Sequence, residues 1–198
     1  MGKVVLLKNV RLSYPKFEEP DYFKPGVKSR PGEKRRWSAA FHVLNEDPQQ
    51  KMVVKAIEEV AEARWEKKWR TTLDNLLTDP KGCCWQDGKR KDVPGVFILS
   101  SHRNEDAGRP KIIDADKSPI YKDDNTLYEG KAGRVYSGCY VNAQVEFWAQ
   151  DNTSGKGLRC TLMVVQRFKA GDAFAGGSAP DLDAFDEISD GSDADDLS

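Results

Sequence analysis

Apolar and polar side chains alternate from the start of the chain. In residues 3–14 (KVVLLKNVRLSY), Val4, Leu6, Val10 and Leu12 share one parity, and Asn9, Arg11 and Ser13 share the other. Successive side chains of a strand point to opposite faces, so the parity predicts a strand with one core-directed and one wet face. Residues 15–36 are rich in Pro, Gly, Lys and Arg and read as a long loop. A second strand is predicted over 37–45 (WSAAFHVLN), with Trp37, Ala39, Phe41 and Val43 on one side. Asn45 to Pro48 then supply turn and helix-start chemistry. From 49 to 77 the period becomes helical. Val53, Ile57, Ala61, Trp65, Trp69, Leu73 and Leu77 recur every four residues, reinforced by Met52, Val60 and Leu76. Asp79, Pro80 and Gly82 end this one long helix.

Further along, 86–95 (QDGKRKDVPG) reads as a turn and 96–103 (VFILSSHR) as a strand. A short extended piece at 111–114 precedes a polar loop that runs to about Arg134. Two long strands follow, over 135–149 and 157–169, joined by the turn signal of 151–155. Beyond Ala170 the chain is Gly, Ala, Ser and Asp, a composition that predicts a disordered tail. The expected organisation is one folded domain over 1–170 and an acidic tail over 171–198. About five strands with a long inserted helix, mainly β, fit an OB-fold-like Greek-key barrel. A plain α+β sandwich fits the pattern nearly as well.

Charge changes the picture once it is split by position. The whole chain has a net charge of −1, but 171–198 holds nine acids and no Lys or Arg. Removing those nine from the total of 32 acids leaves 23 against 31 basic residues in 1–170, a net charge of +8. A basic body on an acidic tail is a polyanion-binding arrangement. Cys83, Cys84, Cys139 and Cys160 include no C-x-x-C pair, and His42 and His102 lie far apart, so the sequence predicts reduced, mostly buried thiols and no metal or other cofactor. The apolar run over 4–7 is too short for a signal peptide, Leu6 stands where myristoylation needs Ser or Thr, and no stretch has the length of a membrane span. These features predict a soluble protein of a reducing cytoplasm.

Three groups of residues carry candidate chemistry. The strand over 135–149 places Tyr136, Tyr140 and Trp148 on its less apolar face, and Arg159, Thr161 and Arg167 share a parity in the next strand. Aromatic rings mixed with arginines suit sequence-tolerant binding of single strands, because every base has a face to stack. A second core beneath the helix is the competing reading of those rings. The first loop holds Lys24, Lys28, Arg30, Lys34, Arg35 and Arg36, with a smaller cluster at Lys89, Arg90 and Lys91. In an OB fold the loop between strands 1 and 2 flanks the nucleic-acid groove, although solvated basic loops look the same. In the tail, Leu182, Phe185 and Ile188 punctuate the acids and suit docking to a partner protein. Asp114, Asp116, Asp123 and Asp124 cluster among Lys111, Lys117 and Lys122 and read as solvated loop acids rather than a nuclease metal site. No catalytic constellation appears, and the chain is expected not to be an enzyme. The Trp65–Trp69 pair reads as core or as a dimer contact, which keeps a homo-oligomer among the expected states.

The runs VYSGCYVNAQVEFWAQDN (135–152) and GKGLRCTLMVVQRFKAGDAF (155–174) resemble the C-terminal half of a phage single-stranded DNA-binding protein family. WSAAFHVLNED (37–47), WQDGKRKD (85–92) and RPKIID (109–114) are similar to that family in order and spacing. The resemblance implies an OB fold with an inserted helix that coats single-stranded DNA during replication or recombination in the cytoplasm of an infected bacterium. It implies an acidic tail that contacts replication or recombination proteins. The chain ends on Asp195, Asp196, Leu197 and Ser198 rather than an aromatic residue. A metal-dependent nuclease or recombination enzyme, and an RNA-binding or annealing protein, are the rival readings.

Overall fold

The computed structural model describes residues 2–29 and 31–174. Its seven strands are β1 (Lys3–Asp21), β2 (Arg36–Leu44), β3 (Trp85–Asp87), β4 (Val96–Asn104), β5 (Lys111–Ile113), β6 (Tyr140–Asn152) and β7 (Gly155–Lys169). Two helices, α1 (Gln49–Trp65) and α2 (Trp69–Thr78), lie between β2 and β3. Five strands in the order β1–β2–β4–β7–β6 form a closed barrel: β6 pairs with β1, and β4 meets β7 in a parallel pairing at His102–Thr161. The other barrel pairings are antiparallel. Closure leaves these five without a free sheet edge, which is the barrel solution to the edge problem.

One long strand serves two neighbours. Residues 3–7, Val10 and Arg11 of β1 pair with β6, and from Arg11 onward β1 also pairs with β2. Asn9 (φ 51°) and Tyr14 (φ 46°) bend it. The irregularity at 8–9 adds a residue, so the inward parity changes from Val5 and Leu7 to Val10 and Leu12. Val4 and Leu6, expected in the core, therefore face outward at 46% and 48% exposure. A period of two is flipped by any single inserted residue.

The expected single helix is two, separated by a 3₁₀ turn over Glu66–Lys68, where Glu66 has φ 46°. A strict four-residue repeat advances about 40° per step around a helix of 3.6 residues per turn, so seven such residues cannot hold one face. The break resets the face. Val53, Ala56, Ile57, Val60, Ala61 and Trp65 of α1 are buried, as are Leu73 and Leu76 of α2, while Met52 and Leu77 are exposed. The side-chain amide of Gln49 takes the place of a strand neighbour for Lys8, accepting from its N–H and donating to its carbonyl. Trp65 Nε1 donates to Asp151 Oδ2 at 3.0 Å, fastening the β6–β7 hairpin to α1.

β6 starts five residues later than the alternation suggests, because 135–139 turn around Gly138 at φ 110°. From Val141 the expected parity holds, and Val141, Ala143, Val145 and Phe147 are fully buried against Phe41, Leu158, Cys160 and Leu162. All four cysteines are buried free thiols. Asp114, expected to be solvated, is 5% exposed. Lys131 Nζ lies 2.7 Å from its carboxylate, Arg167 at 3.8 Å and Arg134 at 4.0 Å. These cations and the Ala115 N–H replace water around it, and the bond from Lys131 leads in holding its carboxyl below the usual range.

Candidate nucleic-acid interface

Cross-strand partners share a face of the sheet. Arg11 stands opposite His42, Ser13 opposite Ala40, and Lys16 opposite Ser38. On the next strand Ser100 faces Ala40 and His102 faces Ser38. Because Trp37, Ala39, Phe41 and Val43 fill the core, the intervening set of β2 looks outward. Ser38, Ala40 and Ser100 give this outer surface a low floor of small side chains.

Its two ends carry rings and cations. At one end Tyr140, the β6 partner of Arg11, has Lys169 Nζ 4.7 Å and the Arg11 guanidinium 5.7 Å from its ring centroid. Phe174 lies there too, with its centroid 5.1 Å from that of His42 and 4.4 Å from the guanidinium carbon of Arg11. Burial, then Arg11 and Lys91, hold the His42 pKa below its usual value. At the other end Arg36 lies 4.7 Å over Phe23. Burial, then Arg36 and Arg159, push His102 down to about 4. Both imidazoles are therefore neutral at pH 7, and the lasting positive charge belongs to Arg and Lys. Tyr14 (74%) and Phe23 (66%) are the most exposed aromatic rings among the described residues with large exposed apolar side chains. A bulky residue at positive φ is an uncommon conformation, and here it presents the Tyr14 ring to solvent.

The sequence matches the family described as Enterobacter phage Enc34, ssDNA-binding protein, over residues 3–197. The chain belongs to this family. It is 33% identical to protein p50 of Acyrthosiphon pisum secondary endosymbiont phage 1 over 191 residues, 93% of this chain and 94% of that protein. In fold it is similar to the single-stranded DNA-binding protein from bacteriophage Enc34 solved in complex with ssDNA, with a TM-score of 0.66 and 20% identity over 86% of this chain and 89% of that one. It is also similar to gp2.5, a single-stranded DNA-binding protein encoded by bacteriophage T7, with a TM-score of 0.57 and 13% identity over 96% of this chain and 98% of that one.

In this member of the Enc34 family the residues singled out from sequence divide into several groups. Tyr140, Arg36 and Lys91 border the outer face of β1, β2 and β4. Trp148 and Arg159 approach β4 from its other side, through Thr161: Trp148 Nε1 donates to Thr161 Oγ1 at 3.0 Å, and Arg159 is the β7 partner of Trp148. Arg159 also donates to the carbonyls of Lys81 and Gly82 at 3.0 and 3.2 Å, which fixes its side chain. Lys34 and Arg35 pair with Asp106 and Glu105, tying the first loop to the turn after β4. Arg90 donates to the last carbonyls of α2, on Leu77 and Thr78, and Lys89 donates its backbone N–H to Asp87. Lys28 is exposed in the loop. Arg167 turns to Asp114, and its buried Nε has no hydrogen-bond partner. Tyr136 is partly buried against the core, its hydroxyl bonded to Gly171. Arg30, Leu182, Phe185 and Ile188 lie outside the described residues.

Arg11, Tyr14, Phe23, His42, His102 and Phe174 were not singled out from sequence. His42 and His102 were legible as outward positions of their strands. Tyr14 and Phe23 carried a weaker signal, Tyr14 directly before Pro15 and Phe23 two residues before Pro25 in a polar stretch. Arg11 was legible only as a wet-face position of the first strand, and nothing local marks Phe174.

Proposed function

We propose that this chain binds single-stranded DNA without sequence preference and coats it during phage replication or recombination in the cytoplasm of the infected bacterium, without catalysing a reaction on it. The observation that carries this reading is the outer face of β1, β2 and β4: a floor of Ser38, Ala40 and Ser100 between ends that pair aromatic rings with arginine and lysine. Small floor residues admit a backbone or a base closely. Rings stack on any base at roughly 1–3 kcal/mol each, and cations follow the phosphates. Family membership and the two solved proteins of similar fold, both single-stranded DNA-binding proteins, support the same ligand. Tyr14, Phe23 and Tyr140 are the proposed stacking platforms, with Trp148 at the border. Arg11, Arg36, Lys91 and Lys169 supply charge, and Lys28, Arg30, Lys34 and Arg35 extend it along the first loop. The acidic tail is proposed to compete with DNA and, through Leu182, Phe185 and Ile188, to contact replication or recombination proteins.

Fluorescence titration with single- and double-stranded oligonucleotides at two salt concentrations tests the reading. Single strands of differing sequence are expected to bind alike and more tightly than duplex. Tight, sequence-specific duplex binding would refute it. Incubating labelled single-stranded DNA with the protein and magnesium or manganese should leave the strand intact, whereas a nuclease would shorten it. Competition with RNA of the same sequence separates the RNA-binding alternative.

A further inference from the structure

One ring of this chain already lies on the proposed DNA face. After β7, residues 171–174 run against Tyr136, Ser137, Arg11 of β1 and His42 of β2. Three groups fasten this strap. The Tyr136 hydroxyl donates to the Gly171 carbonyl at 2.8 Å and accepts from its N–H at 3.1 Å. Arg11 Nη2 donates to the Asp172 carbonyl at 2.5 Å, and the Phe174 N–H donates to the Ser137 carbonyl at 3.1 Å. The clasp closes because Gly138 and Gly171 have no side chains. A Cβ on Gly171 would lie 2.5 Å from the Gly138 carbonyl oxygen and 2.9 Å from the Tyr140 ring. The strap sets Phe174 against both Arg11 and His42, its ring tilted 33° from the imidazole.

A flat ring against an imidazole and a guanidinium has the contacts by which proteins hold an unstacked nucleobase. We infer that Arg11 and His42 form a base-stacking subsite and that Phe174 fills it as an internal substitute for the base. The inference rests on the single-stranded DNA reading above and adds the occupant that DNA must displace. This contact consists of ring stacking and backbone hydrogen bonds, so salt weakens it little. Competition by tail carboxylates is screened over about 8–10 Å near physiological ionic strength. The two effects therefore separate by salt.

The test measures affinity of the full chain and its variants for fluorescent oligo-dT at low and high salt, with melting temperature recorded for each. Phe174→Ala should bind about fivefold more tightly or better, the equivalent of one weak base stack regained, and the gain should persist at high salt. Gly171→Ala keeps the ring but opens the clasp, and should give a gain of the same sign. Arg11→Ala should bind more weakly and should abolish the gain from Phe174→Ala when the two are combined. Unchanged affinity in a folded Phe174→Ala variant would show that the ring does not occupy a DNA subsite. Weaker binding would make Phe174 a platform for DNA and overturn the inference equally. If the unaltered chain ignores oligo-dT, the functional reading fails first, and the inference falls with it. Were Phe174→Ala to melt early, Gly171→Ala would decide alone, with a gain supporting the inference and no gain overturning it.

Discussion

His102 looks outward on β4, yet it is burial, ahead of the charges of Arg36 and Arg159, that pushes its pKa down to about 4. A histidine of the unfolded chain titrates near 6.5. Between those values the unfolded state binds the extra proton, so stability is greatest above pH about 6.5 and declines as the pH falls toward 4. The loss should be on the order of 3 kcal/mol at most, less whatever partial exposure of the ring restores. Melting curves of His102→Gln against the unaltered chain over that window check this: the variant should show the shallower slope. Asp114 makes a second prediction at this scale. Asp114→Asn removes the charge that Lys131, Arg134 and Arg167 share and leaves partly buried cations uncompensated. The cost should be on the order of 3 kcal/mol. Thermal denaturation should show it, and a change below about 1 kcal/mol would mean that solvent reaches the cluster easily.

Among the elements, the loop between β1 and β2 combines two roles. Lys34 and Arg35 are partnered by Asp106 and Glu105, but these pairs are exposed and contribute little to stability. Exchanging those carboxylates for phosphates therefore costs little. Replacing Lys34, Arg35 and Arg36 together by Ala should weaken single-strand binding and reduce the log–log salt slope by roughly 2, at about 0.7 per phosphate contact. An identical slope in the triple variant would return the loop to a purely solvated role. The double change Glu105→Gln and Asp106→Asn should act in the opposite direction and tighten binding at low salt. The strands teach a separate lesson. β2 and β6 kept their alternation because each runs unbroken through its buried part, with β6 only starting later than its pattern suggested. β1 lost its alternation at the irregularity near Asn9, and no feature of KVVLLKNVRLSY announces that extra residue.

At the scale of the whole molecule the governing quantity is the separation of charge. Residues 176–198 carry eight acids and no Lys or Arg, joined to a body of net charge +8 over 1–170. A tethered polyanion competes with DNA at a high effective concentration. Deleting 176–198 should tighten binding at low salt, with the gain fading as salt rises, while Phe174 and its clasp remain. Equal affinities for both forms at low salt would leave only partner docking or solubility to the tail. The same deletion should abolish capture of replication proteins that dock through Leu182, Phe185 and Ile188.

By itself the sequence determined the mainly β class, the inward sets of β2 and β6, the helical segment after β2 and the opposed charges of body and tail. These are local or additive properties: parity, periodicity and net charge are readable wherever the chain goes. Only the tertiary structure decided that the barrel closes through β4 and β7, that Asp114 gathers three cations, and which face combines small floor residues with rings. It also decided the fate of the YSG run. Tyr136 was legible as an aromatic on a wet face, but its hydroxyl spans 35 residues of sequence to hold Gly171. Arg11, His42 and Phe174 meet from three distant parts of the chain. The reason is physical: a contact between distant segments depends on strand order, register and where a bulge shifts a face, and each depends on the packing of the whole barrel.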